Sequence, residues 1–146
     1  IDGVAVWVGH SDAHSGSFLF ALGRYRGNGK CLKSLWHTGE RRISFPALVD
    51  SGADINVIPY SLGLALGLNW NDSRIGPTLT GKFANIETRL IVLPAVVGNF
   101  APIDLVFTWM AQDTGPVILG QMNFFREFNV YFYGVESIFE LERATP

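Results

Sequence analysis

Two tripeptides in this sequence of 146 residues could each present an acid to a substrate. Asp50-Ser51-Gly52 lies in "ALVDSGADINVIP", residues 47–59, and Asp113-Thr114-Gly115 lies in "AQDTGPVILG", residues 111–120. In such a tripeptide the hydroxyl can donate and accept hydrogen bonds. The glycine lets the backbone turn sharply or pass close to a ligand. Two such carboxylates brought together can divide acid and base roles between them.

The approaches to the two differ. An apolar run, Phe45 to Val49, leads straight into Asp50. Burial there would raise the pKa of the carboxyl. A buried Asp on a turn between strands is tolerated only if it is satisfied or functional. After Gly52 the alternation resumes, with Ile55 and Val57 on one face. Met110-Ala111-Gln112 is no comparable lead-in, and Pro116 follows with no N–H to give. Asp113 therefore reads as loop chemistry. The bland account of Asp50 is an Asx-type turn.

Other chemistries fit poorly. His10 and His14 have the spacing of a metal pair only on a helix, and "GHSDAHSGS" (9–17) reads as a polar loop. In "GRYRGNGKC" (23–31) the glycine spacing is wrong for a phosphate loop, and Cys31 stands where Ser or Thr would hold Mg²⁺. Arg24, Arg26, Lys30 and Lys33 read as a solvated hairpin face. A net charge of −2 gives no strong field for nucleic acid or an anionic membrane. Neither a metal nor a cofactor is expected.

The elements that must carry Asp50 read as strands. Short β-branched and aromatic runs are punctuated by Gly, Asn and Asp. "VAVWV" (4–8) is a strand. "FLFALGRYR" and "KCLKSLW" flank Gly27-Asn28-Gly29 as a predicted hairpin, and "HTGE" (37–40) is a further turn. Pro59 opens a short helix over 59–68, with Leu62, Ala65 and Leu66 inward. Residues 74–94 read as a long hairpin with its tip in 81–86. Strands follow over 99–110 and 116–120, a helix over 121–128, and a last hairpin around Gly134. Phe124, Phe125 and Phe128 are predicted core. One domain over 1–146 is expected.

With 48% hydrophobic and 16% charged residues, the chain should fold. Its mean hydropathy of +0.23 suggests apolar surface that meets a partner. The longest apolar run, "LIVLPAVV" (90–97), is too short to span a bilayer. A single cysteine, Cys31, and no evident signal peptide favour a cytoplasmic setting, and the start at Ile1 reads as a trimmed or processed end.

"ALVDSGADINVIP" resembles the active-site loop of the retropepsin-like aspartic peptidases, and "VILGQMNFFREFNVYF" resembles their second marker. The resemblance covers about residues 41–142 and is nearest in character to cellular and bacterial members. It implies an all-β, closed barrel with a flap hairpin and one short C-terminal helix. That barrel would be half of a symmetric homodimer. Asp50 would be catalytic, with the Ser51 hydroxyl locking the two loops across the dyad. Gly52 and Ala53 would present backbone to an extended peptide substrate. Asp54 would contact substrate or order the site, and Gly81, Lys82 and Phe83 would lie at the flap. Ile118, Leu119 and Gly120 would brace the loop from beneath. Two carboxylates about 4 Å apart repel by about 4 kcal/mol at an effective dielectric of about 20. One therefore stays protonated while the other activates water, and an acidic optimum follows.

Three positions depart from the family pattern. Ser51 stands where Thr is common, Gln121 where viral members carry Arg, and the flap has Gly81 as its one glycine. Strands at 4–8 and 138–142 are candidate dimer contacts. The rival reading is a non-catalytic peptide-binding or dimerisation module on the same barrel.

Overall fold

The computed structural model describes residues 5–10, 25–28, 31–38, 41–98, 100–113, 115–136 and 138–145, giving the backbone alone before Phe45 and at Pro46. The chain is mostly strand. An eight-stranded sheet takes β1 (Ala5–His10), β3 (Cys31–Thr38), β4 (Arg41–Val49), β5 (Asn56–Ile58), β6 (Arg74–Ile75), β7 (Thr88–Val97), β8 (Ile103–Met110) and β9 (Val117–Leu119). Their spatial order is β1-β3-β4-β9-β5-β8-β7-β6. A second sheet places β11 (Ile138–Arg143) between β10 (Phe128–Tyr133) and β2 (Tyr25–Asn28). Two short helices, α1 (Tyr60–Ala65) and α2 (Phe124–Glu127), complete the set.

The central strands follow from the side-chain pattern. In β7, Ile91, Leu93, Ala95 and Val97 are buried at period two, while Val92 between them is 57% exposed. β8 begins the same way, with Ile103, Leu105, Phe107 and Trp109 inward. At its end Thr108 and Met110 are buried too, so this stretch is covered on both faces. One face carries the large core, which includes Ile58, Leu105, Phe107, Trp109, Leu119, Phe124 and Phe128. The opposite face carries a small cluster, Val57, Met110 and Ile118.

Several expectations change. The sheet is not the closed barrel implied by the resemblance. β1 meets one edge of β7 at 95–97 and β6 meets that edge at 89–90, so among the described strands 91–94 have no partner there. Among the described strands the hairpin expected about Gly27-Asn28-Gly29 is not formed: β2 pairs with β11, while β3 pairs with β1 and β4. A local turn signal lost to pairing with strands distant in sequence. Residues 18–24, 29 and 30 lie outside the described set. Thr38 does face Arg41 across antiparallel β3 and β4, as the turn at 37–40 requires. His10 is on a strand, which removes the helical spacing to His14, itself outside the described residues. The terminal strands β1 and β11 have both edges paired within the chain, and β10 and β2 are the edge strands of the smaller sheet among the described strands. An interface through β1 or β11 would have to use side chains rather than strand edges.

Both helices are shorter than predicted. α1 ends where Gly67 takes φ 77°, with its N–H bonded to Leu64 O at 2.9 Å. Leu62 and Leu66 are buried as expected. Gly63 lies flat on the Trp109 indole, and a Cβ there would fall 2.1 Å from the ring. Tyr60 stacks on Trp109 at 5.8 Å and Trp70 meets it edge-on at 4.8 Å, so α1 is pinned by aromatic packing. α2 is a single turn, because Phe128 is already extended. Phe124 and Phe128 are buried, and Phe125 packs against the core.

Candidate active site

β4 is apolar to its end, Ala47 and Val49 being buried, and the chain then bends at Asp50. The Asp50 N–H donates to Leu119 O at 3.0 Å, so the bend starts from the β4–β9 pairing. The Ala53 N–H donates to Asp50 O at 3.2 Å, closing the turn. Asp50 Oδ1 accepts the Gly52 N–H at 2.9 Å. That bond is the Asx-type turn of the bland account. It leaves Oδ2 with no hydrogen bond from the described residues. Asp50 is half-buried rather than buried, and Ser51 and Gly52 are exposed. The turn thus presents the acid at the surface of this chain.

Beneath the turn runs the segment after β9. Gln121 N donates to Ala53 O at 2.8 Å and Met122 N to Asp54 O at 2.8 Å. Asn56 N answers to Met122 O at 3.1 Å. The two segments are zipped together over residues 50–56 and 119–122. Gly120 makes this approach possible, since a Cβ there would sit 2.6 Å from both Ala53 O and Ile55 O. The Gln121 side chain reaches up, its Nε2 donating to Ser51 O at 2.8 Å. An amide thus ties the brace to the turn by a neutral bond. Asp54 is exposed, and Ala53 is half-buried against the small cluster.

Asn56 belongs to no motif in the sequence. It is fully buried. Its Oδ1 accepts the Gly120 N–H at 2.7 Å, and its Nδ2 donates to Val106 O at 3.0 Å. Asn123 extends the network, accepting the Val106 N–H at 3.0 Å and donating to Asp104 O at 2.8 Å. The only advance signal was a polar residue at an inward position of an otherwise apolar strand.

The segment between β6 and β7 carries the predicted flap residues. Gly81–Phe83 form a 3-10 turn inside the expected tip. Gly81 and Lys82 are exposed, and Lys82 Nζ lies 4.9 Å from the Phe83 ring centre. Leu79, Phe83 and Ile86 pack against Val57, Met110 and Ile118, the cluster that also takes Ala53 and Ile55. The tip therefore rests beside the Asp50 loop. An open apolar cavity of about 460 Å³ adjoins it, lined by Ile55, Ile75, Pro77, Leu90, Val106 and Met122 among others.

Asp113 is elsewhere employed. Its Oδ1 accepts the Ser61 N–H at 2.7 Å, at the start of α1, where Pro59 offers no side-chain cap. Among the described residues no group of three His, Cys, Asp or Glu is arranged to hold a metal, and no helix is long and apolar enough to cross a membrane.

A retropepsin-like aspartic protease from Rickettsia conorii superposes with a TM-score of 0.62, over 90% of this chain and 100% of its own, at 14% identity. The chain has a retropepsin-like fold. EIAV protease complexed with the inhibitor HBY-793 gives a TM-score of 0.45 at 22% identity, over 53% of this chain and 71% of its own. No protein-family model matches the sequence, and no curated protein does. Within the retropepsin-like fold, Asp50 stands on the turn after β4, and Gly120 lies beneath it.

Proposed function

We propose that this chain is half of an aspartic endopeptidase. Two copies associate about a twofold axis, each bringing one Asp50, and the pair cuts extended polypeptides. The observation that carries the reading is the setting of Asp50. Its carboxyl is held at the chain surface by a turn zipped to a brace, with Oδ2 unengaged among the described residues. The retropepsin-like fold supports it, since the neighbour from Rickettsia conorii is described as an aspartic protease.

In the dimer one Asp50 is ionised and takes a proton from water, and the other is protonated and polarises the scissile carbonyl. Water attacks directly, so no acyl-enzyme forms. The exposed Ser51 hydroxyls meet across the axis and lock the two turns. Gly52 and Ala53 offer backbone to the substrate, and Asp54 orders its far end. The Gly81–Phe83 tip covers the peptide. Apolar side chains beside the cut suit a cleft bordered by Ile55, Val57, Phe83 and Ile118. The rate falls on both sides of an acidic optimum, because the reaction needs one carboxylate and one carboxylic acid at once.

The test is a mixed peptide library incubated at about pH 5, with cuts mapped by mass spectrometry and Asp50→Asn as the control. Cuts beside apolar residues that vanish in the control are the expected result. Equal cutting by both proteins, or none by either, overturns the peptidase and leaves the binding module. Full activity from a strict monomer overturns the shared site.

A further inference from the structure

We propose that Asn56 is a positioning residue for Asp50, an inference that rests on the peptidase reading above. β5 and β9 share one registered pair, Val57 with Ile118. Immediately beyond that pair the strands part to admit the Asp50 loop. The Gly120 N–H then faces inward, with no main-chain acceptor among the described residues, and an unmet buried donor is unfavourable. Asn56 Oδ1 meets it at 2.7 Å. The same amide holds Val106 O at 3.0 Å and approaches Asn123 Oδ1 at 3.4 Å, while the Asn56 main chain holds Met122 O. One fully buried side chain therefore clamps the loop, the brace and β8 together. Leu119 O receives the Asp50 N–H, so the placement of residues 119–120 sets the backbone at Asp50.

The task needs an acceptor and a donor on one rigid fork. Asn supplies both, Leu neither, and an ionised carboxylate only the acceptor. A protonated carboxyl again supplies both. The groups bonded to the Asn56 side chain, Gly120 N, Val106 O and the Asn123 amide, do not titrate. The titratable side chains on the segments packed around it are Asp50 and Asp54 on the loop and Asp104 on β8.

Two variants test this, with activity normalised to sites titrated by a hydroxyethylene transition-state analogue. Asn56→Leu should lower kcat per titrated site about 10- to 100-fold, with KM changed by no more than about threefold. Exchange of the Gly120 amide with deuterated water should quicken. Asn56→Asp should work nearly as well as the parent at low pH, where the introduced carboxyl is protonated and reproduces both bonds. Burial disfavours its charged form, so ionisation is held back to higher pH, and the variant's rate relative to the parent's falls as pH rises through that ionisation. Fewer titratable sites with unchanged kcat per site in Asn56→Leu would mark Asn56 as merely structural and overturn the proposal. So would an Asn56→Asp profile parallel to the parent's. If Asn56→Leu does not fold, Asn56→Asp decides alone. A parent no more active than Asp50→Asn fells the peptidase reading itself, and this proposal with it. An active parent with an indifferent Asn56 fells only the proposal.

Discussion

Asp50 and Asp113 begin the same kind of tripeptide and end in opposite circumstances. Among the described residues the Asp50 carboxyl accepts a bond only from its own turn, at Gly52, and its segment is zipped to the residues after β9. Asp113 reaches across to Ser61 and finishes a helix. The difference comes from their surroundings. A buried strand and an inward glycine make Asp50 a fixed, surface-facing acid. An uncapped helix turns Asp113 into a structural acceptor. A motif of three residues specifies neither outcome.

The contrast can be broken most sharply by removing the acid. Asp50→Asn should cut peptidase activity at least about a thousandfold while far-ultraviolet circular dichroism and analogue-induced dimerisation persist. Residual activity near the parent's would put Asp50 on a level with Asp113. Next comes Gly120→Ala. Its Cβ would press on two backbone oxygens at 2.6 Å, neither able to swing aside. Such overpacking destabilises by about 1 to 3 kcal/mol, and displacement of the turn should lower kcat about a hundredfold. Normal stability in urea titration would show that the zipper has slack. The smallest effect belongs to Asp113→Ala. It should lose about 1 kcal/mol of stability, the usual worth of a cap, with cleavage rates unchanged. A large loss of rate would instead recruit Asp113 to the site.

The sequence made the outline readable where the physics is local. The hairpin over 74–94, the strand over 99–110, the apolar run into Asp50 and the strand stub before Gly120 are all legible from local runs of residue type. Gln121 stands out in the sequence as a departure, but its bond to Ser51 O does not, since that partner is fixed only by the fold. The cap from Asp113 joins residues 52 apart in the chain, beyond any spacing rule. β2 is not legible because Gly27-Asn28-Gly29 favours a turn while the choice of partner is settled by β11. Asn56 is not legible because an isolated amide in a strand has no pattern, although its buried side chain bonds both the brace and β8.

The segment from Leu79 to Ile86 is fastened differently from everything around it. Its backbone hydrogen bonds are local, as from Phe83 N to Thr80 O and from Ile86 N to Phe83 O. The ties at its base, Gly76 N to Thr88 O and Thr88 Oγ1 to Pro77 O, lie outside that stretch. What presses it onto the molecule is the apolar contact of Leu79, Phe83 and Ile86. Apolar attraction weakens on cooling. The tip is therefore sensitive to cold as well as to heat, and chilling loosens it while the hydrogen-bonded strands below stay shut.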